Sequence, residues 1–239
     1  MTVAVILAGG LGSRLRSVVS DVPKPMAPIA GRPFLEWLMD YWIDQGIQKF
    51  IISVGYLHEA ISSHFGNTYH GAEIEYAIET APLGTGGGLL MSLAKGDLKD
   101  PFFLINGDTL FNVSAEKIIK HQATYNSGVV FSVFRASEDD RFGAVDINET
   151  GKDTLLSSLK AKTGQFANGG VYLIDPIAIK KQFGEAVFSC SFEDEILPSL
   201  VNAGIKFSSV ISPGNFIDIG IPEDFLRAHE AIPKAVGIF

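Results

Sequence analysis

The sequence predicts an α/β fold: a Rossmann-like, doubly wound sheet, mixed but mainly parallel, with a small antiparallel extension. Three observations carry this. Short apolar runs alternate with helical patterns through the first half of the chain. The first of those runs is apolar throughout, as a strand covered on both faces must be. The second half changes to successive strand-like segments with little helix between them.

The elements follow in order. Residues 2–7, rich in Val and Ile, make the first strand. Over residues 34–46, Phe34, Leu35, Leu38, Met39, Trp42 and Ile43 form one helical stripe, which Gly46 ends. Next come a strand at 50–54, a helix at 57–65 and an alternating strand at 74–78. Residues 86–95 read as helical in spite of their glycines, 101–106 as a buried strand and 114–125 as a helix. Segments 128–134, 142–147, 155–160 and 168–174 read as strands, forming either an antiparallel extension of the sheet or a small subdomain. Helices at 176–182 and 192–203, a strand at 206–211 and a helix at 222–231 complete the chain, with Pro222 in the first turn, where proline is tolerated. No repeat, low-complexity stretch or flexible linker appears, so residues 1–239 read as one domain with an internal division near residue 140.

Composition narrows the function classes. The 239 residues are 46% hydrophobic and 19% charged, an ordinary globular balance with enough chain for a substantial core. A formal net charge of −8 argues against nucleic acid as a partner. Cys190 is the only cysteine, so no intramolecular disulfide can form and a reducing cytoplasm fits. The N-terminal apolar run has no basic stretch before it and no small-residue cleavage site; it reads as a core strand and not a signal peptide. No apolar stretch is long enough to span a bilayer, so no membrane partner is expected. The five histidines lack metal-ligand spacing.

The chemistry concentrates where the first strand ends. Leu7-Ala8-Gly9-Gly10-Leu11-Gly12-Ser13-Arg14-Leu15 offers backbone N–H groups and one guanidinium, equipment for a polyphosphate. A Walker A loop needs Gly-Lys-Ser/Thr, which Gly12-Ser13-Arg14 lacks. A dinucleotide fingerprint needs a third glycine, where Leu15 stands. A nucleotidyltransferase loop remains, with Gly9, Gly10 and Gly12 allowing close approach and Arg14 forking onto phosphate oxygens. Lys24 lies between Pro23 and Pro25, which bias it toward a stiff, extended backbone presenting a fixed positive charge.

The run Leu7–Leu15 followed by Pro23-Lys24-Pro25-Met26 resembles the signature of the sugar-1-phosphate nucleotidyltransferases. The longer string from Arg16 to Ile29, with Ser53-Val54-Gly55-Tyr56 and Pro82-Leu83-Gly84-Thr85-Gly86-Gly87, resembles their D-glycero-α-D-manno-heptose 1-phosphate guanylyltransferase subgroup. The resemblance implies a nucleotide-diphospho-sugar transferase type of fold, residues 1–140 holding nucleotide and 141–239 holding sugar. The implied partners are a nucleoside triphosphate, GTP, and a sugar 1-phosphate, with self-association left open. The implied cofactor is Mg²⁺, which suits one or two carboxylates plus waters and phosphate oxygens.

Asp108 follows the buried strand 101–106, at the sheet edge where open α/β folds bind ligands, and matches the family's first metal aspartate. Asp218, set among apolar residues in Phe216-Ile217-Asp218-Ile219-Gly220, matches the second and also faces the sugar side. Leu83, Gly84, Thr85 and Gly86 are expected beside the nucleobase, with Leu7 and Ala8 opposite. Gly143, Asn168, Gly169 and Glu193 match segments that line the sugar pocket. One departure stands out: the family carries Glu-Lys shortly before Asn-Gly-Gly, whereas this chain has Leu159-Lys160-Ala161-Lys162, with Lys162 as the candidate replacement. Mannose 1-phosphate with GTP, or another sugar phosphate with UTP or CTP, is the alternative within enzymes. A nucleotide-sugar sensor without catalysis is the alternative outside them.

Overall fold

Strand β1 (Val3–Leu7) sits inside a ten-stranded sheet in a computed structural model that describes residues 1–10, 12, 14, 15, 18, 19, 21–135, 144–150, 153–161 and 166–237. After β1 come β2 (Pro28–Ile29), β3 (Arg32–Pro33), α1 (Phe34–Ile43), β4 (Lys49–Val54), α2 (His58–Phe65), β5 (Thr68–Tyr69), β6 (Ala72–Ile78) and α3 (Gly84–Gly96). The chain continues through β7 (Phe102–Asn106), β8 (Thr109–Phe111), α4 (Ala115–Tyr125), β9 (Val129–Arg135), β10 (Ala144–Thr150), β11 (Asp153–Ala161) and β12 (Phe166–Ile174). It closes with α5 (Pro176–Phe183), α6 (Leu197–Asn202), β13 (Phe207–Ile211), β14 (Phe216–Asp218) and α7 (Pro222–Ala235).

The parallel part is β7-β1-β4-β6. Strand β12 joins β7 antiparallel and carries β9 and β10 with it. The antiparallel strands are therefore an extension of the same sheet. The expected division near residue 140 falls outside the described residues.

Alternating side chains explain the layering. Ala4, Ile6, Phe50, Ile52, Phe103 and Ile105 pack into one core with Phe34, Leu38 and Trp42 of α1. Val3, Val5, Ile51, Phe102 and Leu104 pack into a second with Leu89 and Leu93 of α3 and Phe192, Leu197 and Leu200. A strand buried on both faces has no polar side to show, which is why these runs read as uniformly apolar.

Three differences from the sequence reading have physical causes. The helix expected at 192–203 divides into a π-helical turn over Phe192–Ile196 and then α6. Pro198 in the first turn of α6 has no N–H to continue a regular ladder, and the wider turn absorbs the mismatch. Helix α7 runs past residue 231 to Ala235, through Pro233, because Ile232 and Pro233 are buried against the core. The short strands β2, β3, β5 and β8 have two or three residues each and arise from tertiary pairing, not from a period long enough to read. Among the described residues no helix is long and apolar enough to cross a membrane.

One clasp secures the approach to the site. Arg32 donates from Nε to Glu36 Oε2 (2.8 Å) and from Nη2 to Asp40, and its guanidinium lies 4.5 Å from the Trp37 ring centroid. Trp37 Nε1 donates to Ile29 O (3.0 Å), and His64 meets Glu36 Oε1 at 2.7 Å. The β2–β3 hairpin is thereby pinned to α1. Burial works to raise the Glu36 carboxyl, but the Arg32 and His64 hydrogen bonds outweigh it and hold the group below its ordinary value. A depressed carboxyl contributes stability above its unfolded-state pKa, and that contribution disappears as pH falls through the folded value. Glu36→Gln should therefore cost about 1 kcal/mol at neutral pH and progressively less on acidification. Urea unfolding at stepped pH values checks this; an equal loss at every pH would contradict it.

Candidate active site

The loops after the parallel strands leave from one edge and are tied to each other there. Ala8 N donates to Ser53 O (2.8 Å), Gly107 N to Leu7 O (2.9 Å) and Glu79 N to Val54 O (2.8 Å). A Cβ on Gly107 would lie 2.6 Å from Leu7 O, so only glycine lets these two chains approach so closely. The loops enclose a cavity of about 450 Å³. Such an edge, at the carboxyl ends of the strands, is where open α/β sheets bind ligands.

Leu7, Ala8, Gly9, Gly10, Gly12 and Arg14 form one wall of this cavity. Gly12 has φ of 60°, a left-handed conformation that L side chains rarely adopt, and a Cβ there would come within 3.2 Å of Lys24 Cβ. The turn thus lays the glycine loop against the lysine. Arg14 is exposed on the wall. Ser13 lies outside the described residues.

Lys24 departs from the expected extended backbone. It opens a 3₁₀ turn over Lys24–Met26, closed by Met26 N to Pro23 O (2.7 Å) and Ala27 N to Lys24 O (3.0 Å). Those two bonds, with Pro25 and Met26 buried, override the local preference imposed by the following proline. Phe34 N donates to Ala27 O (2.9 Å), which links this turn to the hairpin held by Arg32. Lys24 Nζ reaches Asp108 Oδ2 at 2.6 Å, with the lysine side chain 14% exposed and the aspartate 39%.

Asp108 sits between β7 and β8. Strand β14 pairs antiparallel with β8, placing Asp218 opposite Thr109, and Ile219 N donates to Asp108 O (3.0 Å). Two aspartates remote in sequence thus become backbone neighbours on one cavity wall. Asp218 Oδ1 accepts from Gly220 N (2.6 Å), which orients its carboxylate. Among the described residues no three His, Cys, Asp or Glu side chains form a metal cage. Two carboxylates beside the glycine loop are instead a hard-oxygen donor set that fits a divalent cation taking its remaining ligands from water and phosphate.

On the opposite wall stand Pro82, Gly84 and Thr85. Leu83 and Gly86 are set back from it. Leu83 N donates to Glu79 Oε2 (3.0 Å), while Gly86 is buried against Cys190. Glu79 itself lines the cavity, as do Ser53 and Asn106, three residues that the sequence reading missed. Ser53 Oγ donates to Glu79 Oε1 (3.0 Å), so both carboxylate oxygens are held. A signal was available for Glu79: an acid directly after β6, at the same strand edge that singles out Asp108.

Of the sugar-side candidates, Asp218 lines this cavity, and Asn168, Gly169 and Glu193 do not. In β12, residues 169–171 bulge opposite the single Ser132, between the Asn168–Val133 and Tyr172–Phe131 pairs. Asn168 Oδ1 accepts from Gly170 N (3.1 Å) and Asn168 Nδ2 donates to Tyr172 OH. Gly169 packs so closely on the Phe111 ring that no side chain fits. Glu193, second in the π-helical turn, accepts from Thr85 Oγ1 at 3.0 Å. Gly143 and Lys162 lie outside the described residues.

Comparison with known proteins agrees with this arrangement. The chain is 39% identical to the D-glycero-α-D-manno-heptose 1-phosphate guanylyltransferase of Aneurinibacillus thermoaerophilus, over 96% of this chain and 97% of that one. It is 34% identical to the Campylobacter jejuni enzyme of the same name, over 93% and 96%. The crystal structure of HddC from Yersinia pseudotuberculosis complexed with GMP-PN superposes with a TM-score of 0.81 at 35% identity, covering 97% of this chain and 99% of that one. The nucleotidyl transferase family model matches residues 3–235. With fold and sequence in agreement along nearly its whole length, this chain belongs to the nucleotidyl transferase family.

Proposed function

We propose that the protein transfers a guanylyl group from GTP to D-glycero-α-D-manno-heptose 1-phosphate, releasing pyrophosphate. The observation that carries this is the single cavity shared by the glycine loop, Arg14, Lys24, Asp108, Asp218 and Glu79. An oxygen of the sugar phosphate attacks the α-phosphorus in line. The bond from that phosphorus to the bridging oxygen breaks, and pyrophosphate leaves. No covalent enzyme intermediate is needed, so positioning and charge neutralisation supply the catalysis.

Each residue has a role in this reading. Arg14 forks onto the β,γ-phosphates. Lys24 moves from Asp108 to the α-phosphate as charge develops there. Asp108 and Asp218 would hold Mg²⁺, which supplies neutralisation of phosphate charge when bound. Glu79 supports guanine as the base. An ionised carboxylate only accepts hydrogen bonds, and the Watson–Crick edge of guanine offers adjacent N1–H and N2–H donors. Uracil, cytosine and adenine each put an acceptor beside their donor at that edge. The heptose rests on the named relatives, and Asn168 and Glu193 are proposed for its hydroxyls because they match the family's sugar-side segments.

Pyrophosphate release should be greatest with GTP and the heptose phosphate when each triphosphate is paired with mannose, glucose and heptose 1-phosphates. A preference for UTP or CTP would overturn the base assignment, and a preference for mannose 1-phosphate the sugar. Lys24→Ala should lower turnover by roughly two or more orders of magnitude, the scale of removing a key electrostatic group. Near-normal turnover in a folded variant would remove Lys24 from the mechanism. Glu79→Gln should lower kcat/KM for GTP by roughly 10- to 100-fold, the scale of a hydrogen bond to a charged group, and leave UTP nearly unaffected. Parallel losses for both triphosphates would assign Glu79 to architecture alone.

A further inference from the structure

The glycines of the nucleotide wall have a second purpose. A Cβ on Gly84 would lie 2.5 Å from Cys190 O, one on Gly86 2.6 Å from Cys190 Sγ, and one on Gly87 2.6 Å from Phe188 O. Gly86 N donates to Cys190 O (2.9 Å) and Cys190 N donates to Leu83 O (2.9 Å). The loop is glycine-rich because residues 188–190 are docked against it. The segment leading into the acidic turn and the nucleotide wall are therefore one mechanical unit.

A chain of hydrogen bonds continues from this unit toward the sugar side. Thr85 Oγ1 accepts from Phe192 N (2.8 Å) and donates to Glu193 Oε2 (3.0 Å). Glu193 Oε1 accepts from Tyr172 OH (3.4 Å), and Tyr172 OH accepts from Asn168 Nδ2. Every hydroxyl donates once and accepts once, so the direction of the chain is determined. Tyr172 is fully buried, its ring edge-on to Phe131 and Phe192 at centroid distances of 5.1 and 5.0 Å. Burial, and then the neighbouring Glu193 charge, keeps its phenol protonated as the donor.

The far end of the chain returns to the cavity. The β12 bulge abuts the site, since a Cβ on Gly170 would lie 2.9 Å from both Asn106 Nδ2 and Thr109 Oγ1, which flank Asp108. Asn106 Oδ1 and Thr109 Oγ1 are buried with no hydrogen-bond partner among the described residues. Unspent polar capacity therefore sits where the bulge meets the cavity.

We propose that Tyr172 is a positioning residue that couples the two substrate sides, with the Thr85–Glu193–Tyr172–Asn168 chain transmitting nucleotide seating to the Asn168–Gly170 bulge and so setting affinity for the sugar phosphate. This rests on the nucleotidyl transfer proposed above. It also gives Glu193 a duty beyond direct sugar contact: its two oxygens bridge Thr85 and Tyr172.

Tyr172→Phe keeps the ring and deletes the bridge. It should raise KM for the sugar phosphate roughly tenfold, the scale of one hydrogen bond to a charged group, with kcat and the affinity for a non-hydrolysable GTP analogue changed less than twofold. Binding of that analogue should protect amides 168–172 from hydrogen exchange in the wild type, and this protection should vanish in Tyr172→Phe and Thr85→Val but persist in Thr85→Ser. An unchanged KM, or protection that survives both deletions, would overturn the coupling. If Tyr172→Phe does not fold, the Thr85→Val and Thr85→Ser comparison decides from the exposed end of the chain. A wild type that releases no pyrophosphate with any substrate pair would sink the transferase reading alone, and the exchange result would still decide the coupling.

Discussion

The ion pair between Lys24 and Asp108 is the interaction around which the site is assembled. Its partners are 84 positions apart and come from loops on different strands. A largely buried ammonium needs a counter-charge or it loses more in desolvation than folding can supply. Meeting that need requires β1 and β7 to be neighbours, the glycine loop to turn at Gly12 against the lysine, and the β2–β3 hairpin to hold the 3₁₀ turn in place. The Arg32 clasp on α1 thus serves the site at a distance. It fixes a hairpin, the hairpin fixes a turn, and the turn aims a charge.

The same pair also keeps the cavity close to electrically balanced before substrate arrives. Two aspartates side by side on one wall would repel, and the lysine offsets one of them. In the proposed reaction, phosphate entering the cavity would compete with Asp108 for the lysine, and the released carboxylate would then be available to a cation. On that reading a single exchange of partners would prepare the anion side and the cation side together.

The parallel half of the fold was legible because its strands are buried on both faces and its helices carry apolar stripes. Val3–Leu7, Phe34–Ile43 and Phe102–Asn106 sit within a few residues of where their patterns place them. What escaped reading depends on partners distant in sequence. β8 exists only because it pairs with β14, and the π-helical turn at Phe192 depends on Pro198 and on docking to the glycine loop. In the cavity, the glycine loop, Arg14, Lys24, Asp108 and Asp218 could be picked out because they coincide with the motifs of the family that the sequence resembles. Glu79 carries no motif that sets it apart from other acids, and the sequence gives no separate role to the Tyr172 hydroxyl. Only packing shows that the first has both oxygens held and the second a hydroxyl between two polar neighbours.

The close docking of Gly84, Gly86 and Gly87 on Phe188–Cys190 has a consequence for inheritance and for engineering. Two stretches of chain about a hundred positions apart share one surface with no room to spare. A change in either must be matched in the other, so they should drift together through descent. Grafting a loop from a relative with a different base preference would carry across only half of an interlocked pair. The transferable module is the glycine loop together with the strap that lies on it.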